Sequence, residues 1–280
     1  MHSPAPKASS AAGWQARLDL CLRPLSGRTR LIPQRRLGPL SVQRPFHPEG
    51  ACCHVYLLHP PGGVVGGDRL NLTVIAERGS EALLTAPGAT KFYRSAGDEA
   101  RVDQHFIVYD GARLEVLPQE NIHFPGARLR MRTELELEPG ARLLLWEKHC
   151  FGRPSIGERF DSGRVDSELR LLRDGQLLFI DRQRIDACEI DRPSGLRGLP
   201  VMGSLLLVAP GLDAALIDAC RAIPHSNGLG ALSRLDDDLL VARWLGGDSA
   251  SMNRWFVALW ALLRPAVLGA EACPPRIWNT

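Results

Sequence analysis

The chain has 280 residues, 45% hydrophobic and 23% charged, and its 34 basic and 31 acidic residues leave a net charge of +3. A balance this even argues against a nucleic-acid partner or an anionic membrane surface, and no apolar run reaches the length that spans a bilayer. Seven cysteines, an odd count with no CxxC spacing, fit reduced and mostly buried thiols in a cytoplasmic protein.

Met1 to Gly13, rich in Ala, Ser and Pro, reads as a disordered leader, and no apolar stretch follows its basic residue to make a secretory signal. From residue 14 to 280 no linker divides the chain, which predicts one domain. Trp14 to Leu20 alternates as a strand. His59 to Asp68, HPPGGVVGGD, interrupts the pattern. Pro60 and Pro61 stiffen an extended approach, and Gly62, Gly63, Gly66 and Gly67 permit positive φ or close backbone contact. The loop lacks the Lys-Ser or Lys-Thr of a phosphate-binding loop, and a strand pattern follows Asp68 instead of a helix.

Further strands are predicted at Arg69 to Ile75, Ala112 to Leu117, Arg128 to Glu138, Leu143 to Trp146, Glu168 to Leu172 and Leu177 to Ile180. The clearest is RLRMRTELELE, which sets Leu129, Met131, Leu135 and Leu137 on one face and charges on the other. GARL recurs at Gly111, Gly126 and Gly140, with looser relatives at Gly79 and Gly175. Turn-plus-strand units at near-constant spacing suggest stacked rungs, although a meandering sandwich gives similar punctuation. Helical spacing appears late, at Asp213 to Ile223 and at Asp248 to Arg264. The second has Asp248 or Ser249 as N-cap and Pro265 as its stop. The fold class expected is mostly β, a β-helix-like stack of strands with a few C-terminal helices covering one side.

Catalytic signatures are missing: there is no Gly-x-Ser-x-Gly elbow and no HExxH helix. His149 and Cys150 are neighbours on a predicted strand, where they point to opposite faces and cannot share a proton. Cys52 and His54 would face one way and Cys53 the other, which makes at most half a metal site. His47, His105, His123, His149 and His225 show no ligand spacing. The chain reads as a non-enzyme without a tightly bound cofactor.

Several blocks in order resemble the UreD family of urease accessory proteins, called UreH in some organisms. They are LIPQRRLGPLSVQRPFHPEG, the glycine loop, TAPGATKFYRS (Thr85 to Ser95), LPQENIHFPGA (Leu117 to Ala127), WEKHCFGRPSIGERF (Trp146 to Phe160), LWALLRPAVLG and the terminal PRIWNT. The resemblance implies a β-helix-like fold and a maturation factor that joins apo-urease to UreF and the GTPase UreG. Nickel would be in transit, and a homodimer within the complex is compatible with it. Transit calls for weak, exchangeable oxygen ligands and not a thiolate–imidazole cluster. The matching blocks offer Asp68, Glu147 and Glu158 as transit candidates and Lys91, Arg94 and Glu120 as further polar positions. Family members often carry Thr-Gln where this chain has Ala86 and Pro87. Two rival readings are a β-helical enzyme acting on an extended polymer and a nickel-storage protein.

Overall fold

The computed structural model describes residues 13–279, so the predicted leader lies outside the described residues except for Gly13. The hairpin β1 (Gln15–Leu25) and β2 (Arg28–Leu37) is followed by β3 (Ser41–Val42), β4 (Phe46–Glu49) and β5 (Cys52–Leu58). The chain then winds through β6 (Arg69–Ala76), β7 (Glu81–Thr85), β8 (Thr90–Phe92), β9 (Ala100–Val108), β10 (Arg113–Leu117), β11 (Asn121–His123), β12 (Arg128–Leu137) and β13 (Arg142–Arg153). After these come β14 (Glu158–Arg159), β15 (Arg164–Arg173), β16 (Gln176–Asp186), β17 (Val201–Val208), α1 (Ala214–Arg221), β18 (Gly228–Asp236), β19 (Leu239–Gly246) and α2 (Ser249–Leu263).

Successive windings stack in register, as the rhythm predicts. In the first sheet β1, β6, β9, β12 and β15 are parallel, with the antiparallel strands β2 and β16 at its edges. One row, Leu20, Val74, Phe106, Leu135 and Leu171, crosses all five parallel strands, and each side chain is buried. It faces a row of the second sheet, Val55, Leu84, Val116 and Leu145, carried on parallel β5, β7, β10 and β13. Beyond β13 the second sheet turns antiparallel through β17, β19 and β18.

The outer face of the second sheet carries a separate core. Leu144, Trp146, Leu205 and Leu207 meet Met252, Phe256, Leu259 and Trp260 of α2. Asp248 caps α2 by accepting from the Ser251 amide at 2.7 Å, and Asp213 caps α1 in the same way. Pro265 does not stop the helical course. The chain widens into a π turn over Arg264–Leu268 and ends at Gly269, whose φ is +70°. A proline near the start of a new turn lacks only an N–H that turn does not need.

Of the three GARL copies, Gly111 and Gly140 occupy equivalent corners before β10 and β13, whereas Gly126 lies at the corner before β12. Gly175 closes the antiparallel hairpin β15–β16 and is not a rung corner.

The second sheet splits along its length. Its lower strands pair as β5–β7–β10–β13, and its upper ones as Val64, β8, β11 and the far half of β13. Between the two paired zones each rung is one residue longer than its neighbour toward β13. Residues 117–120 lie against 146–148, 86–89 against 118–120, and 57–63 against 86–91. Pro118, Pro87, Pro60 and Pro61 fall in these stretches, where a missing N–H cannot be mourned by the ladder. In each break one residue is left without a counterpart on the next rung. The sheet therefore opens like a fan at this level.

Candidate functional site

The fan opens onto a cavity of about 320 Å³ between the two sheets. Ala86 to Ala89 and Pro118 form one wall, and His59, Gly62, Gly63 and Lys91 lie on another. Leu70, Leu72, Val102 and Met131 of the first sheet close the far side. Glu147 is the carboxylate on its wall. It sits on β13, the strand with the fewest residues at this level, and points inward with Leu145 and His149.

Glu147 is buried, and its Oε1 accepts from the Thr133 hydroxyl at 2.6 Å. Thr133 in turn accepts from Gln104 Nε2 at 3.3 Å, so a short polar chain crosses from the first sheet to the second. Burial raises the Glu147 carboxyl to about 7, opposed by the Thr133 hydrogen bond and helped by Asp181. Such a group exchanges its proton near neutrality and can take up a cation in its place. Next along the same face, His149 Nδ1 lies 3.0 Å from His123 Nε2, and both rings stack with Phe151. Burial pushes His149 down to about 4 and His123 well below its usual range, so the pair is neutral at physiological pH.

The four glycines of the loop answer three different demands. Gly62 and Gly67 have φ of +78° and +92°. A Cβ on Gly63 would fall on the Tyr93 ring, and one on Gly66 would meet the Ser95 side chain and stand 2.6 Å from the Asp98 carbonyl oxygen. Pro60 and Pro61 are exposed at the bend. Burial holds the His59 imidazole below its ordinary range, against the pull of Asp68.

A model of the family described as UreD urease accessory protein matches residues 15–279. The chain belongs to this family. Relatives named urease accessory protein UreD include one from Pseudomonas putida (strain W619), 47% identical over 96% of this chain and 95% of the relative. One from Pseudomonas fluorescens (strain Pf0-1) is 44% identical over the whole of both chains. A third, from Azoarcus sp. (strain BH72), is 44% identical over 96% of this chain and 95% of its own. These names describe accessory proteins and carry a role in urease maturation. No helix among the described residues is long and apolar enough to cross a membrane.

The residues that UreD resemblance singles out do not all converge on the cavity. Glu147 and Lys91 line it. Asp68 is buried, but its carboxylate accepts from the Trp14 amide at 2.8 Å and the Val65 amide at 2.9 Å, fastening the glycine loop to β1. Glu158 forms a two-pronged ion pair with Arg153, 2.7 Å on each side, at a different surface. Arg94 packs against Gly126, and Glu120 accepts from Asn253. Asn253 also accepts from Lys148 at 2.7 Å, which ties α2 to β13, and burial lowers Lys148 to about 8.

Gln104, Thr133 and the His123–His149 pair are absent from the sequence reading. Thr133 had one signal, a polar residue in the apolar phase of β12. The histidines had none, because their contact depends on the register of β11 against β13. Cys52 and Cys53 do face opposite ways, Cys52 into the core under α2 and Cys53 into the core between the sheets. His149 and Cys150 are divided in the same manner.

Proposed function

We propose that the chain is a non-catalytic urease maturation factor of the cytoplasm, which binds apo-urease together with UreF and UreG and gives nickel a route through the inter-sheet cavity. The observation that carries this reading is one buried carboxylate, Glu147, on the wall of a cavity whose rim is the glycine loop. Nickel is cargo here. A single carboxylate that exchanges a proton near pH 7 offers a Ni²⁺ ion one oxygen ligand, held by Thr133 in one orientation. One such ligand is a shallow stop, which suits passage better than storage. The rest of the wall is mostly apolar, with polar side chains that include His59, Lys91, Gln104 and Asn121 and no second carboxylate. GTP hydrolysis falls to UreG, consistent with the missing phosphate-binding signature in this chain.

The test is reconstitution from urease subunits, UreF, UreG and this chain, with nickel per urease active site as the readout. Glu147→Ala is expected to reduce nickel severalfold while UreF, UreG and urease still co-purify. Unchanged nickel content with an intact complex would remove Glu147 from the route.

A further inference from the structure

A second cluster of ligand-type side chains lies on the opposite face of the second sheet from the cavity. Period two brings Cys52 and His54 to one face of β5, and the tight β4–β5 connection folds Glu49 back beside them. Glu49 stands opposite Cys52 in the pairing register. The Cys52 thiol, an imidazole nitrogen of His54 and a Glu49 carboxylate oxygen all lie within 4.8 Å of one another. Cys52 and His54 are buried, and none of the three lines the cavity.

We infer that Glu49, Cys52 and His54 form a binding site for one divalent transition-metal ion of the zinc class. The donor set is one sulfur, one nitrogen and one oxygen. That combination excludes the hard cations Mg²⁺ and Ca²⁺, which take oxygen shells, and matches Zn²⁺ and its spectroscopic substitute Co²⁺. Three protein ligands leave a fourth position open in a tetrahedral arrangement.

The surroundings hold the ligands in place. Glu49 Oε1 contacts His54 Nε2, and Glu49 Oε2 accepts from Arg264 Nη1. Arg264 is buried and also donates to the Glu115 carboxylate, at 3.0 and 3.1 Å, and to the Glu271 carbonyl. Trp260 adds a 2.5 Å hydrogen bond to Glu115. Arg264 and Glu115 therefore neutralise each other and fix the free oxygen of Glu49, as outer partners of a ligating carboxylate do. Charge balances when metal enters. The Cys52 thiol gives up its proton, the neutral His54 ring binds through the nitrogen that carries none, and the two charges of the dication offset the Glu49 carboxylate and the Cys52 thiolate. The site needs no oxidant or further reactant.

Its test uses the full chain, stripped of metal and titrated with Co²⁺. One Co²⁺ per chain is expected, with a thiolate-to-cobalt charge-transfer band in the near ultraviolet. Zn²⁺ should abolish the band at stoichiometric amounts, and Mg²⁺ in excess should not. Cys52→Ser should remove the band and weaken Co²⁺ binding at least tenfold, and Glu49→Gln should weaken binding with the band retained at high Co²⁺. Cys188→Ser, at the exposed cysteine, should leave both unchanged. No band in the native chain, or a band that survives Cys52→Ser, would overturn the inference whether or not nickel delivery depends on Glu147. Circular dichroism on each variant separates lost binding from lost fold, and a native-chain spectrum without the band is decisive by itself.

Discussion

Arg113 and Arg142 stand in register on adjacent rungs and cap the same helix end. Arg142 Nη1 donates to the Val267 carbonyl at 2.8 Å, and Arg113 Nη1 donates to that of Leu268. Both arginines come from GARL copies, so the repeat that builds the rung corner also supplies the bolt for the C-terminal helix. Carbonyls at a helix end have no partner within the helix, and guanidinium groups satisfy them. Arg142→Met keeps most of the side-chain volume and loses the donor. It is expected to cost about 1.5–3 kcal/mol, the range for hydrogen bonds with a charged partner. Urea unfolding against the native chain measures it, and a loss within error would mean the helix end is held by packing alone.

The loop glycines predict an order of sensitivity. Gly62 has positive φ and open space, so Gly62→Ala costs only the left-handed backbone, roughly 1 kcal/mol. Gly66→Ala meets the Asp98 backbone, which cannot swing aside as a side chain can, and is expected to be the more damaging. Urease activation assayed beside thermal unfolding should rank Gly66→Ala below Gly62→Ala in both. The reverse order would show that the close approach of Gly66 to Ser95 and Asp98 is not maintained.

Much of this architecture is legible because period two fixes which side of a strand faces in. Leu129, Met131, Leu135 and Leu137 are all buried, as the alternation of β12 requires. Alternation does not reveal what lies across the sheet. Glu147 reads as an ordinary polar residue of a family block until Thr133, from the other sheet, is placed 2.6 Å away. The progressive lengthening of the rung breaks is likewise a property of register, visible only when Thr85, Leu117 and their neighbours are paired. Pro265 marks a change of helix type and not an end because it sits at the start of the π turn, where no N–H is required of it. Spacing along the chain carries no trace of that.

Glu147 also predicts a pH dependence of stability. Its carboxyl is raised from 4.5 to about 7, first by burial. The folded chain therefore binds this proton more tightly than the unfolded chain does. The resulting stabilisation is fully present below the unfolded value and is lost as pH rises through about 7. A shift of this size corresponds to roughly 3 kcal/mol. Glu147→Gln, neutral at every pH, should remove the dependence and be more stable than the native chain at about pH 8. Denaturation at mildly acidic and mildly alkaline pH tests this. Parallel pH profiles for the two proteins would mean that water or a counter-charge keeps Glu147 ionised in the fold.

Bulk and charge can be separated along the proposed nickel route. Ala89 lies in a rung break on the cavity wall and is only partly buried, so Ala89→Trp narrows the cavity without removing a ligand. It is expected to reduce nickel per urease active site with the partners retained, as Glu147→Ala does. Glu158→Ala breaks the surface ion pair with Arg153, away from the cavity, and should leave nickel loading close to native. Asp68→Ala frees the Trp14 and Val65 amides and should loosen the loop itself, so nickel and partner binding fall together. Nickel content and co-purification measured on the same samples distinguish these patterns. Full loading by Ala89→Trp, with a folded chain and an intact complex, would place the route outside the cavity.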